Sequence, residues 1–295
     1  MSSSVTTRFA PSPSGPLHVG HLLAALQARR MADEHGGRCV LRIEDIDQRC
    51  RDPQWTELMQ RDLDWLGLHF DGEVMVQSTR FGIYSAVLEQ LRGMGLLYPC
   101  FCTRGEIRAH VEESGRAPHA TLGYLYPGTC KHLPAEEVAA RLAAGKPHAW
   151  RLDMERVQDL IGCPEWYDML HGPQRCVPTE YGDVVLGRKE LPSSYHLAVV
   201  VDDAAQGVTH VTRGEDLLEA THIHRALQAV LQLPVPTYCH HALLRDETGK
   251  RLAKRDGARS LASLREAGYT PQQVKDSLTA ALARGGIWGK LDVES

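Results

Sequence analysis

The stretch from Arg8 to Leu26, "RFAPSPSGPLHVGHLLAAL", places Pro11, Pro13, Gly15 and Pro16 between a strand-like "VTTRFA" and an apolar pattern of helical period. Proline neither continues a helix nor donates to a sheet ladder, so the strand must end and the helix begin within this loop. The helix, "HLLAALQARRMADEH", carries Leu22, Leu23 and Leu26 on one side and is ended by Gly36 and Gly37. "CVLRIED" then reads as a buried strand. A β-loop-α-β unit of this kind starts a parallel sheet and predicts an α/β fold. The loop also delivers His18 and His21 to the helix start, where unpaired backbone N–H groups and the positive end of the helix dipole attract phosphate. Three residues apart, the two imidazoles can face one anion. Gly20 removes a side chain where a flat base could lie against the backbone.

Further along, "DPQWTELMQRDLDWLGL" has Asp52 as N-cap and Pro53 at the first helical position, and "TRFGIYSAVLEQLRGMGLLY" reads as another helix. From Pro99 to about Leu191 the pattern breaks into Cys, Gly, Pro and short strand-like pieces such as "HAWRLD" and "YGDVVLGRK", as expected of an inserted subdomain. Alternation resumes with "YHLAVVVDD", "GVTHVTRG" and the helix "EDLLEATHIHRALQAVL". The expected divisions are 1–98, first half of a nucleotide-binding domain; 99–191, insertion; 192–240, second half; and 241–295, a basic loop with a short helical C-terminal region.

The net charge of -4 over 295 residues gives no global basic field, so a nucleic-acid partner would have to be met by a local patch. No apolar run has signal-peptide or membrane-spanning character, so a cytoplasmic protein with no membrane partner is expected. One basic patch is local: "RDETGKRLAKRDGARS" holds six Lys or Arg between Arg245 and Arg259 against Asp246, Glu247 and Asp256. Such a loop could close over a triphosphate. Within the insertion, Cys100, Cys102 and Cys130 offer three thiolates for a tetrahedral metal site. By softness and frequency, a fourth ligand would come from His110, His119 or His132.

H18-V19-G20-H21 and R251-L252-A253-K254-R255 resemble the HIGH and KMSKS signatures of class I aminoacyl-tRNA synthetases. The flanks "RFAPSPSGPLHVGH", "RIEDID" and "VTHVTRGEDLLEAT" resemble the glutamyl branch. The short chain with "CFC" and "YPGTC" is similar to that branch's shortened members. The resemblance implies a Rossmann-like parallel sheet split by a zinc-bearing insertion. It implies ATP and Mg2+ at the histidines, with His18, His21 and Lys254 stabilising the transition state and Gly20 and Arg251 contributing to the ATP site. Arg251 stands where the signature has its first lysine, and Ala253 where it has serine.

For L-glutamate, the resemblance implies contacts from Arg8, Phe9, Ala10, Pro11 and Ser12, and from Glu44, Tyr195 and Arg213. A side-chain carboxylate suits an arginine fork, and an α-ammonium suits a carboxylate such as Glu44. For Zn2+, it points to Tyr126 beside Cys100, Cys102 and Cys130. It further implies transfer of glutamate to queuosine in the anticodon loop of tRNA(Asp), with no DNA partner. About forty residues follow the basic loop, fewer than a separate anticodon-reading domain needs. The alternatives are a short enzyme charging the 3′ end of tRNA(Glu), or a silent homologue that binds tRNA.

Overall fold

A computed structural model describes residues 4–113, 125–188, 191–246 and 260–286. The chain opens with β1 (Thr6–Phe9), the proline loop, α1 (Val19–Glu34) and β2 (Arg38–Ile43), followed by α2 (Pro53–Trp65) and β3 (Met75–Val76). β1 pairs with β2 in parallel, Arg8 opposite Val40, and β2 pairs with β3 in parallel, Arg42 opposite Met75. This is the unit that the strand–loop–helix pattern predicts.

The middle of the chain supplies α3 (Phe81–Gly93), β4 (Leu97–Cys100), α4 (Arg104–Glu113), α5 (Ala135–Ala143), β5 (Ala149–Leu152) and α6 (Met154–Ile161). The hairpin of β6 (Glu165–Asp168) and β7 (Gly172–Arg175) follows, then β8 (Val185–Gly187) and α7 (Tyr195–Ala205). The remaining elements are β9 (His210–Gly214), α8 (Leu218–Val230), β10 (Thr237–His241), α9 (Leu261–Glu266) and α10 (Pro271–Ala283).

These elements form two compact units: residues 1–78, 208–216 and 238–295 in the first, and 79–207 with 217–237 in the second. The first unit is the parallel α/β layer. Its core packs Val19, Leu22 and Leu23 of α1 against Phe9, Leu41 and Ile43 of the strands and Met59 and Leu63 of α2. Leu261, Leu264, Val274 and Leu278 of the last two helices join the same core, and Arg265 of α9 pairs with the fully buried Asp62 of α2. β9 lies beside β1: Thr209 N–H donates to the Thr6 carbonyl at 2.9 Å, and Arg8 Nη1 donates to the Thr212 carbonyl at 3.1 Å. The contacts advance in the same direction along both strands, and β10 is the next strand after β9.

In the second unit, β4, β5 and β8 form an antiparallel sheet, and α3, α7 and α8 carry the helical packing. Asp202 of α7 is fully buried, accepting from Arg80 Nε at 2.8 Å and from the Tyr84 hydroxyl at 2.7 Å.

Two segments differ from their sequence reading. The helix expected to continue through "GMGLLY" ends at Gly93, and Leu97–Cys100 is a strand. Gly95 at φ 72 makes the turn that a residue with a Cβ would resist. "YHLAVVVDD" is helical because Ser194 caps it, its hydroxyl accepting from Leu197 N–H. Among the described residues, no helix is long and apolar enough to cross a membrane.

Candidate functional site

The two histidines form the N-terminus of α1 themselves. His18 is the N-cap, with extended backbone, and its Nδ1 accepts from Gly20 N–H at 3.1 Å. His21, at the third helical position, returns the contact: its Nδ1 accepts from His18 N–H at 3.1 Å. This reciprocal arrangement is a capping box built from imidazoles in place of Ser and Glu. Both Nδ1 atoms are therefore acceptors, so in each neutral ring the proton sits on Nε2. The ring centroids are 3.9 Å apart, which sets two Nε2–H donors side by side at a helix N-terminus.

Gly20 has a local reason as well. A Cβ there would come within 2.9 Å of His18 Cε1 and 3.0 Å of its Nδ1, so a side chain would displace the capping imidazole.

The expected basic-loop residues Arg251 and Lys254 lie outside the described residues. Their flank is described: Ser260 forms an antiparallel bridge with His18, and Leu261 N–H donates to the Leu17 carbonyl at 2.8 Å.

Around the carboxyl ends of the parallel strands the first unit gathers Arg8, Glu44 and Arg213, all buried. Arg8 is anchored on the Thr212 carbonyl, one residue before Arg213 on β9. Glu44 N–H donates to the Pro11 carbonyl at 3.0 Å, fastening the proline loop to the end of β2. Phe9 is turned into the core and stacks on Phe70, so only its backbone can face the loop, while Ser12 is exposed. Two residues that the sequence reading did not single out belong to this constellation. Arg42, fully buried, donates to Glu44 Oε1 from Nη2 at 3.1 Å, and His240 accepts from Arg213 Nε at 3.0 Å. An arginine inside the otherwise apolar "CVLRI" was the signal for the first.

In the second unit, Tyr195 opens α7, and its ring meets those of His196 and His224. Tyr195 lines a cavity of about 590 Å³ that Arg104, Arg151, Arg188, Cys102 and Tyr126 also border.

Cys100 ends β4, Cys102 precedes α4, and Cys130 follows the segment that carries Tyr126. The three sulfurs lie within 4.8 Å of one another. Cys102 Sγ is 3.4 Å from Cys130 Sγ and 3.6 Å from the Tyr126 hydroxyl, which accepts from Cys130 N–H at 2.7 Å. Burial pushes the Cys102 thiol up to about 11. Burial also acts to raise Cys130, but hydrogen bonds from Tyr126 and from Phe101 N–H outweigh it and hold this thiol below its ordinary value. Four-coordinate zinc with Zn–S bonds near 2.3 Å needs sulfurs about 3.8 Å apart. Three converging thiols with a phenol oxygen beside them fit that donor set. Of the histidine candidates, His132 is not among the clustered groups, the His110 side chain is not described, and His119 lies outside the described residues.

Residues 4–287 match the family described as tRNA synthetases class I (E and Q), catalytic domain. The chain is 48% identical over 279 residues to a glutamyl-Q tRNA(Asp) synthetase of Rhodobacter capsulatus, covering 91% of this chain and 98% of that one. It is 46% identical to the Nocardia farcinica protein of the same name, covering 93% of this chain and 84% of that one. Among solved structures, a glutamate tRNA ligase from Elizabethkingia meningosepticum in complex with its amino acid superposes with a TM-score of 0.79 at 30% identity. That match covers 93% of this chain and 60% of the ligase.

Proposed function

Because the chain belongs to the class I tRNA synthetases of the glutamyl and glutaminyl branch, and within it to the glutamyl-Q tRNA(Asp) synthetases, we propose that it activates L-glutamate with ATP and passes it to queuosine in tRNA(Asp). In the first step an α-carboxylate oxygen of glutamate attacks the α-phosphorus of ATP and pyrophosphate leaves. In the second, a queuosine hydroxyl in the anticodon loop attacks the glutamyl carbonyl, AMP leaves and an ester forms.

The observation that carries this reading is the imidazole capping box at the head of α1. It fixes two Nε2–H donors where negative charge grows on the phosphoryl group. Lys254 completes the charge stabilisation from the other side, with Gly20 and Arg251 in the ATP site. Lys254 precedes Ser260 by six residues, and Ser260 is bridged to His18. A chain of that length reaches at most roughly 20 Å. Mg2+ neutralises phosphate charge when bound.

Arg8 and Arg213 grip the glutamate side-chain carboxylate, and Glu44 receives the α-ammonium. Residues Phe9 to Ser12 and Tyr195 complete the amino-acid site. Cys100, Cys102, Tyr126 and Cys130 hold a structural zinc that cross-links the β4 end to the segment around Cys130 and supplies no chemistry to the transfer.

Acceptor assays with purified tRNAs test this function. Glutamate is expected on queuosine-containing tRNA(Asp), with activation proceeding in the absence of tRNA. Esterification of the 3′ end of tRNA(Glu), with queuosine-containing tRNA(Asp) ignored, would establish the charging reaction instead.

A further inference from the structure

The chain carries a net charge of -4, so an RNA partner has to be met by a local cationic patch, and the second unit contains one. Its cavity of about 590 Å³ has the size of a small-ligand site, and Arg104, Arg151 and Arg188 border it against a single carboxylate, Asp183. That carboxylate is turned to partners of its own: Oδ2 accepts from the Tyr98 hydroxyl at 2.6 Å and Oδ1 from Met154 N–H at 2.8 Å. The lining is therefore cationic on balance. Tyr181 and Tyr195 stand beside the arginines in the same lining.

Of the three arginines, Arg151 is the one whose surroundings are incomplete. It stands on β5, the central strand of its sheet, opposite Tyr98 of β4 and Val185 of β8, and is only 8% exposed. Nη1 donates to the Asp183 carbonyl at 2.7 Å, and the guanidinium lies over the Tyr126 ring, 3.7 Å from Cζ to the centroid. Nε has no hydrogen-bond partner, and among the described residues no carboxylate forms an ion pair with this cation. A buried guanidinium without a counter-charge is costly, and an anion in the cavity offsets that cost. We infer that the cavity receives the acceptor nucleotide of the RNA, and that Arg151, seated on Tyr126, holds its phosphate. A guanidinium fork suits a phosphate, and tyrosine rings suit an unstacked base. The Tyr126 hydroxyl lies 3.6 Å from Cys102 Sγ and accepts from Cys130 N–H at 2.7 Å, so the proposed zinc holds the ring on which Arg151 rests. A metal outside the chemistry thereby sets a contact to the RNA. The inference rests on the proposed transfer of glutamate to an RNA nucleoside. ATP offers the same phosphate chemistry, and the test separates the two.

The test is binding of fluorescently labelled, queuosine-containing tRNA(Asp) to the full chain, followed by anisotropy over a range of salt, beside ATP–pyrophosphate exchange with glutamate. Arg151→Met keeps the length and the apolar contact but removes the charge. It is expected to weaken RNA binding about tenfold and to lower the slope of log affinity against log salt by about one, as when one phosphate contact is lost. The KM values for ATP and glutamate in exchange should stay within about twofold of wild type. Arg151→Gln, whose amide can still donate to the Asp183 carbonyl, should do the same and serves if the Met variant does not melt cooperatively. Tyr126→Leu removes the supporting ring. It should weaken RNA binding as much as Arg151→Met does, with the double variant no weaker than either single one. Wild-type affinity and salt slope in folded Met or Gln variants would overturn the inference, and additive losses in the double variant would overturn the seating on Tyr126. A raised ATP KM with RNA binding unchanged would assign the cavity to ATP and overturn it as well. The two levels are separable. If the wild-type chain does not glutamylate queuosine-containing tRNA(Asp), the proposed function falls; if it does and Arg151→Met binds that RNA normally, only the cavity assignment falls.

Discussion

The Arg42 guanidinium, with no exposed surface, donates twice to one oxygen of Glu44, from Nη2 at 3.1 Å and from Nε at 3.3 Å. Both residues come from "RIED", and both contacts fall on Oε1, so this oxygen is held at the end of β2. Replacing Arg42 with Met preserves volume but leaves a buried carboxylate without its cation, a change that costs about 3 kcal/mol or more. Denaturant unfolding should register that loss, and exchange kinetics should show a raised glutamate KM. A variant as stable as wild type with an unchanged KM would mean that Glu44 needs no such partner.

The imidazole capping box separates structure from chemistry at His21. Asparagine places its amide oxygen near the position of Nδ1 but has nothing at Nε2. His21→Asn should therefore keep the bond from His18 N–H and hold stability within about 1 kcal/mol, the usual scale of a cap. The same variant should lose adenylate formation by roughly 10²- to 10³-fold, as expected when one preorganised donor to a developing charge is removed. Thermal melts beside single-turnover exchange measure both. An active Asn variant would assign His21 to capping alone.

The start of the first unit was legible because its signals are local. Prolines fix the loop, the leucine spacing fixes the helix face, and "CVLRIED" fixes the second strand, so β1, α1 and β2 can be read without knowing their partners. The tail of α3 was not, because "GLLY" is equally apolar in either state and the strand is chosen by its partner β5, some fifty residues on. "YHLAVVVDD" was ambiguous for a related reason: a continuous apolar run has no period, and its helicity rests on the Ser194 cap. At the site, His18 and His21 carry a recognisable spacing, whereas His240 is 27 residues from Arg213 and acquires meaning only once β9 and β10 are neighbours. Arg42 was visible as an anomaly in an apolar strand, but its role required the side-chain geometry.

The cysteine cluster predicts about one zinc per chain in protein purified without chelators. Cys100→Ser should reduce the metal content and lower the melting temperature, since binding energy at such a site is also folding energy. Elemental analysis beside calorimetry measures both, and metal-free protein with an unchanged melt would remove the site. Tyr126→Phe tests the fourth ligand, because the phenol oxygen is 3.6 Å from Cys102 Sγ. Reduced zinc affinity is expected there, with His132→Ala unaffected; the reverse pattern would place the histidine in the site.

Buried histidines give stability a slope in mildly acidic solution. His222 of α8 is held below its ordinary value of 6.5 by burial, and its Nδ1 accepts from the Trp166 indole N–H at 3.4 Å, so the folded state favours the neutral ring. Tyr181 stacks on the same ring with centroids 4.8 Å apart. His210, lowered by burial and by the nearby His35, behaves in the same sense. A group depressed on folding binds fewer protons in the native state than in the unfolded one. Its contribution is therefore fully present above pH about 6.5, the unfolded value, and is lost as pH falls through the folded value. The melting temperature should therefore fall as the pH drops below about 6.5. His222→Asn keeps an acceptor near the indole but cannot titrate. It should melt lower at neutral pH, from lost stacking, and show a shallower decline on acidification, with His210 supplying the remainder. An undiminished slope in this variant, measured by calorimetry across the window, would place the proton uptake elsewhere.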